Sequence, residues 1–211
     1  MVPIVWVGGS KDAVRAFPDD ARQDAGFQLS KLQRGEAPDD WNPMSTIGPG
    51  VREIRIRERS GAFRIIYVVR AADAIYVLHA FQKKTQKTRT SDLDLAQERF
   101  RSVPRRDMSR KIAIPAKKKA PLNRGDPRGA FHDLFDADKA AELTMRADLL
   151  RGLQTWLAGS ALTQAAAATK LGVTQARVSD IKRGKIGSFS LDLLVRLAAR
   201  AGLRPQLRLA A

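Results

Sequence analysis

Residues 162–184 read LTQAAAATKLGVTQARVSDIKRG, and their spacing decides the second half of the chain. Two short helical patterns flank one glycine. Helices that cross steeply need a small residue where their backbones approach, and Ala168 fills that place. The tight turn between them wants a residue that tolerates positive φ, which Gly172 supplies. Thr174 is placed to cap the second helix, and Val178 and Ile181 fall on its inward side. The outward side chains are then Gln175, Arg177, Ser179, Asp180, Lys182 and Arg183, types that hydrogen-bond base edges or phosphates in a major groove. An ordinary pair of packed helices would share the alanines and the glycine turn, but not this polar and basic outer face. The spacing predicts a helix-turn-helix that binds double-stranded operator DNA. Gln175 and Arg177, near the start of the second helix, are expected at base edges. Thr174, Ser179, Lys182, Arg183 and Lys185 are expected at phosphates, with Lys182 and Arg183 serving equally well as a solvated face.

Working outward, Leu149, Leu150, Leu153 and Leu157 mark one amphipathic helix before this motif, and Leu191, Leu194, Val195 and Ala198 mark another after it. The second half therefore reads as all-helical from about residue 130 to 211. Between Pro104 and Gly129 the composition breaks, with Pro104, Pro115, Pro121, Pro127 and the run Lys117-Lys118-Lys119. Proline removes backbone donors and like charges repel, so residues 105–129 are expected to be a basic, solvated linker.

Residues 1–104 read as a small α+β domain. A strand Ile4–Val7 comes first, then a helix from about Pro18 to Gln33 with Ala21, Ala25, Leu29 and Leu32 on one face. Three strand-like runs follow, Val51–Arg57, Ala62–Arg70 and Ala74–Phe81, separated by Ser60-Gly61 and Ala72-Asp73, which predicts an antiparallel meander. A last helix, with Ser91 and Asp94 as a near capping box, puts Leu93, Ala96, Phe100 and Val103 on one side.

The chain carries 38 Lys and Arg against 22 Asp and Glu, a formal charge of +16 that predicts attraction to polyanions. The acids are concentrated in the first half, so the second half is the more basic. Cysteine is absent, which excludes disulfide and thiol chemistry and fits a reducing cytoplasm. His79 and His132 are far apart with no cysteine near them, so neither a metal site nor any other cofactor is expected. No apolar run approaches the roughly 20 residues of a membrane span, and the opening MVPIVWVGGS has no signal-peptide pattern.

The first domain offers no carboxylate dyad, no Ser-His-Asp set and no glycine-rich phosphate loop. It does place cations on strands. Arg55 and Arg57 share one face by the period-two rule, with Ile54 and Ile56 on the other. Arg64 sits inside an apolar run, where an unpaired guanidinium is costly. Tyr67, His79, Lys83, Lys84 and Lys87 complete a polar and basic set. Such a set can cleave RNA without metal: one group takes the 2′-hydroxyl proton, cations stabilise the crowded phosphate, and another group protonates the leaving oxygen. The plainer reading stands beside it. Edge lysines guard a sheet against aggregation, a strand arginine pairs with Glu53 or Glu58, His79 is a satisfied structural histidine, and Trp6, Trp41, Phe63 and Phe81 are core.

Two family resemblances bear on these alternatives. The stretch LGVTQARVSDIKRGK, with FSLDLLVRLAARAGL after it, resembles the Xre/Cro-like helix-turn-helix proteins and in particular HigA-type antitoxins. The stretches GPGVREIRIRERSGAFRIIYVV, IYVLHAFQKKTQKT and DLDLAQERF resemble the HigB-like toxins of the RelE/ParE superfamily. The second resemblance implies a compact RelE-like sheet with flanking helices and cleavage of mRNA on the ribosome. By position it points to Arg55, Arg64, Tyr67, Lys83 and Lys84 as catalytic or RNA-contacting residues, although some relatives poison gyrase instead. The first implies an autorepressor that binds operator palindromes as a homodimer.

Such toxins and antitoxins are normally separate chains, and here Met108-Ser109-Arg110-Lys111 looks like an antitoxin start read through from the domain before it. A flexible tether of about 26 residues spans about 28 Å r.m.s. and gives millimolar effective concentration. The expectation is a self-neutralised toxin that still binds DNA, the contact between halves being made within one chain or across a dimer. Phe131–Leu143 is either the neutralising cover or simply the first helix of the DNA-binding domain.

Overall fold

The computed structural model describes residues 1–70, 74–84, 88–104 and 120–206. The chain order is β1 (Ile4–Val7), α1 (Ser10–Arg15), α2 (Asp19–Gln33), β2 (Trp41–Pro43), β3 (Val51–Glu58), β4 (Gly61–Arg70), β5 (Ala74–Lys83), α3 (Thr90–Ser102) and β6 (Leu122–Arg124). Five helices follow or overlap the second half: α4 (Ala130–Leu134), α5 (Ala137–Gly159), α6 (Gln164–Leu171), α7 (Gln175–Lys182) and α8 (Leu191–Arg200), with a 3-10 turn Ile186–Ser188 before the last.

The strands form one sheet in the order β2-β3-β4-β5-β1-β6. The expected meander is there: β3, β4 and β5 pair antiparallel, with Arg55 opposite Arg64 and Arg64 opposite Phe81. The sheet as a whole is mixed, because β1 lies parallel to β5. Parallel neighbours need a long connection, and here the whole α1-to-β4 stretch provides it. The six-residue α1 and three-residue β2 are too short to leave a periodic signature. Helix α3 starts at Thr90 after Arg89, with no side-chain cap, so the expected Ser91 box does not form.

Side chains alternate across the sheet. Ile54, Ile56, Phe63, Ile65, Tyr67, Ile75 and Val77 face one side with Ala21, Ala25, Leu29 and Leu32 of α2. Val51, Ile66, Val68, Tyr76 and Leu78 face the other, where Leu93, Ala96 and Phe100 of α3 and Val103 just after it cover them.

The linker reading needs a correction at its C-terminal end. Residues 105–119 lie outside the described residues, as do Ala72-Asp73 and Lys87, but from Ala120 onward the chain is built into the first domain. Leu122–Arg124 pairs antiparallel with β1, and the Ala120 N–H donates to Ser102 Oγ at 2.9 Å. A fully exposed three-residue strand carries no apolar alternation, so proline and lysine masked it. What it gains is backbone pairing along the edge of β1.

Phe131 and Leu134 divide their segment between the two cores. Leu134 packs in the sheet core. Phe131 packs in the helical core with Leu143, Leu150, Leu171, Ile181, Leu194 and Leu197, and Phe27 of α2 joins them there. Helix α2 is thus a shared wall, sheet on one side and helical half on the other, which buries even its polar Gln23, Asp24 and Gln28. In α8 the buried positions are Leu194, Leu197 and Ala198, while Val195 is exposed.

Candidate nucleic-acid interfaces

The turn between α6 and α7 forms as the spacing requires. Gly172 is left-handed at φ 62°, Thr163 caps α6 through Ala166 N, and Thr174 caps α7 by accepting from Arg177 N. Ala168, Val178 and Ile181 are buried. The N-terminal end of α7, with Thr174, Gln175 and Ala176, faces solvent beside an open groove floored by Ala165 and Thr169.

The outer residues divide. Gln175, Lys182 and Arg183 are exposed and Ser179 is half-buried. Arg183 reaches Asp180 at 3.3 Å. Arg177 is tied down: its Nη1 donates to the Ser188 carbonyl at 2.7 Å, and the guanidinium lies 5.3 Å from the Phe189 ring centroid. It braces the loop after α7, whereas Gln175 stays exposed at the start of the helix. Lys185 is taken out of the phosphate set altogether. Its Nζ sits 2.9 Å from Glu58 Oε1 and donates to the Arg57 carbonyl at 2.9 Å, both on β3.

On the sheet, register shows which of the basic residues meet. Arg55, Arg64 and Phe81 form one row across β3, β4 and β5, and Arg57, Ala62 and Lys83 form the next row on the same face. Lys84 follows, exposed, at the strand's end. Tyr67 does not belong to this face: it is fully buried on the opposite side against α2. Positions 64 and 67 differ by an odd number, so the period-two rule already separated them. Burial also holds the Tyr67 hydroxyl above its ordinary pKa, the neutral, inert form.

Arg64 lies under the row rather than on it. It is 5% exposed, pairs with the buried Glu53 at 3.2 Å, and donates to its neighbour's carbonyl, Phe63, at 2.9 Å. Desolvation pushes the Glu53 carboxyl up and pulls the Arg64 guanidinium down, each partly restored by the other's charge. The pairing expected for a strand arginine is therefore what Arg64 makes. Arg55 is half-exposed and held by Asp40, whose Oδ1 accepts from its Nε at 2.7 Å. His79 is buried on Asp92, 2.9 Å away, and stacks at 5.3 Å on Phe81. Burial lowers its pKa, with the Asp92 hydrogen bond acting the other way. Asp40 and Asp92 went unnoticed in the sequence because each partner lies more than ten residues away on another element.

Of the basic residues singled out on the sheet, Arg55, Arg57, Lys83 and Lys84 are thus the accessible ones. Among the described residues no cluster of acids and histidines is arranged to hold a metal ion. Nor is any helix long and apolar enough to cross a membrane.

Two family models match the chain, one in each half. One, described as Phage derived protein Gp49-like (DUF891), matches residues 12–101, and a helix-turn-helix domain model matches residues 130–210. The chain joins a Gp49-like domain to a helix-turn-helix domain. The Gp49-like family is one of RelE- and HigB-like toxins, so a toxin-type fold and a DNA-binding fold share one polypeptide. No curated protein matches the chain. The Gp49-like model spans α2 and the β3–β5 meander, and the helix-turn-helix model begins at α4, the helix that is stitched into both cores.

Proposed function

We propose that the chain is a HigBA-type toxin–antitoxin fusion: a latent, metal-independent mRNA-cleaving endoribonuclease held silent by an antitoxin half that represses its own transcription as a homodimer in the cytoplasm. The observation that carries this reading is the shared wall of α2. Phe27 of the Gp49-like domain sits in the helical core, while Leu134 of the second half sits in the sheet core. Halves interlocked in this way behave as toxin and bound antitoxin, and the exposed start of α7 remains free for an operator.

The ribonuclease chemistry falls to the exposed row. Arg57, Lys83 and Lys84 supply positive charge for a scissile phosphate, Arg55 is poised at its edge, and Arg64 with Glu53 stiffens the strand beneath. The helical half covers α2, on the other face of the sheet from most of this row, and meets the row at Arg57, whose carbonyl accepts from Lys185. It silences by bulk, denying the row its approach to an assembly as large as a ribosome, and not by filling the site.

That same exposure favours a second reading, a constitutively active ribosome-associated endoribonuclease with a DNA-binding appendage. Paired induction in cells decides between them: residues 1–107, the full chain, and residues 1–107 with 108–211 supplied in trans. Growth arrest by the fragment alone, relieved in trans and absent with the full chain, supports the silenced toxin. Arrest by the full chain supports the second reading. A fragment with native circular dichroism and no effect on growth refutes both.

A further inference from the structure

We infer that the DNA-binding surface crosses the domain boundary, with Arg57 and Arg59 of the toxin-type hairpin contacting the phosphate backbone of a duplex held by α7. The inference rests on the reading of α7 as the DNA-recognition helix and extends its surface to a part of the chain no helix-turn-helix contains.

The turn that follows α7 and the β3–β4 hairpin are next to each other. Lys185, two residues beyond Arg183, donates to the Arg57 carbonyl at 2.9 Å and pairs with Glu58 at 2.9 Å. Arg57 and Arg183 line the same small cavity of about 70 Å³, together with Asp39, Asp40 and Arg55. Helix α7 has eight residues, about 12 Å at 1.5 Å per residue, so its base-reading start and the beginning of this junction at Arg183 are about one groove width apart. A major groove about 12 Å across that admits α7 therefore brings its flanking phosphates to the junction.

The charges there favour phosphate. The acids around the cavity are already engaged: Asp40 by Arg55, Asp39 by Lys31, Glu58 by Lys185, and Asp24 by the Gly187 N–H. Among the described residues the Arg57 and Arg59 guanidiniums have no carboxylate partner, and both are exposed, as Lys182 is. Docking thus brings Arg57, with Arg59 two residues on, beside Arg183 and its chain neighbour Lys182, while Lys185 is spent on holding the hairpin in place.

The test is salt-dependent binding of the full chain to a mixed-sequence duplex of roughly three helical turns, followed by fluorescence anisotropy. Each phosphate that is no longer neutralised makes the plot of log affinity against log salt shallower by about 0.9. The R57Q/R59Q variant is expected to be shallower by roughly 1.8, and R57K/R59K, which keeps the charge, to hold the wild-type slope. R89Q/R101Q removes two exposed charges from the ends of α3 and is expected to leave the slope unchanged. A wild-type slope in R57Q/R59Q, beside a shallower one in K182Q/R183Q, overturns the inference while leaving α7 as the recognition helix. An equal loss in R89Q/R101Q overturns it in favour of bulk charge. No binding by the wild type overturns the inference and the reading of α7 together.

Discussion

The indole Nε1 of Trp6 donates to the buried carboxylate of Asp133 at 2.9 Å, across 127 residues of chain. The same carboxylate pairs with Lys11 at 2.6 Å and accepts from the Asp126 N–H at 3.1 Å, while the Asp133 carbonyl takes Arg15 Nε at 2.8 Å. This one residue staples the segment between the two domains into the first of them. Asp133→Ala strands the buried indole N–H and leaves the part-exposed Lys11 ammonium unpaired, and an unsatisfied buried donor of this kind costs about 1–3 kcal/mol. Urea unfolding of the full chain reads the loss as a lower midpoint. An unchanged midpoint would mean the staple contributes nothing to stability.

Phe131 reaches the helical core by passing over Gly26 of α2. A Cβ at Gly26 would stand 2.7 Å from both Cδ1 and Cε1 of the Phe131 ring. Gly26→Ala is therefore expected to destabilise by about 1–3 kcal/mol through overpacking. In a Phe131→Ala background the clash is gone, so the same substitution should cost nothing further. A double-mutant cycle by chemical denaturation measures that difference, and additive costs would place the strain elsewhere.

Asp24 is the acid that domain docking treats worst. It is buried, its carboxyl meets Glu58, and these effects hold its pKa well above the ordinary 3.8, against the weaker pull of the Gly187 N–H and Lys185. The native state thus binds a proton more tightly than the unfolded state does, and stability falls as pH rises from 3.8 through the raised value. Asp24→Asn keeps the shape and removes the titration. Thermal melts of the variant should lack the part of that decline due to Asp24, so its advantage over wild type widens with pH. A constant offset between the two curves would refute the assignment.

Gln175 and Arg177 are close in sequence and differ in what holds them. Gln175→Ala is expected to cut discrimination between the operator and a random duplex by about 1–3 kcal/mol without altering the salt slope. Arg177→Ala is expected to lower the melting temperature instead, because it releases Ser188 and Phe189. Competition binding and calorimetry on both variants separate the two effects. A loss of discrimination confined to Arg177→Ala would reverse the roles given to them.

Much of the architecture was legible in the chain because it is written in local patterns. Ala168, Gly172, Thr174, Val178 and Ile181 are fixed by steric and capping rules that act over a few residues, and the structure places each as those rules require. Strands β3 to β5 and the inner face of α2 follow likewise from periods of 2 and 3.6 residues. The edges were not legible. Strand β6 and helix α1 are too short to carry a period, and a proline- and lysine-rich stretch concealed the first of them.

The candidate sites divide along the same line. Sequence alone determined which residues are chemically able to meet a nucleic acid, because charge and side-chain type belong to the residue. Only tertiary structure decided which of them stay free to do so. Tyr67 and Arg64 went into the interior, Arg177 and Lys185 were spent on the loop after α7 and on the hairpin, and Arg57 came to stand beside Arg183. The availability of a guanidinium or an ammonium is set by the carboxylates and carbonyls that packing brings near it. Those partners lie up to 128 residues away in the chain, where no local pattern reaches.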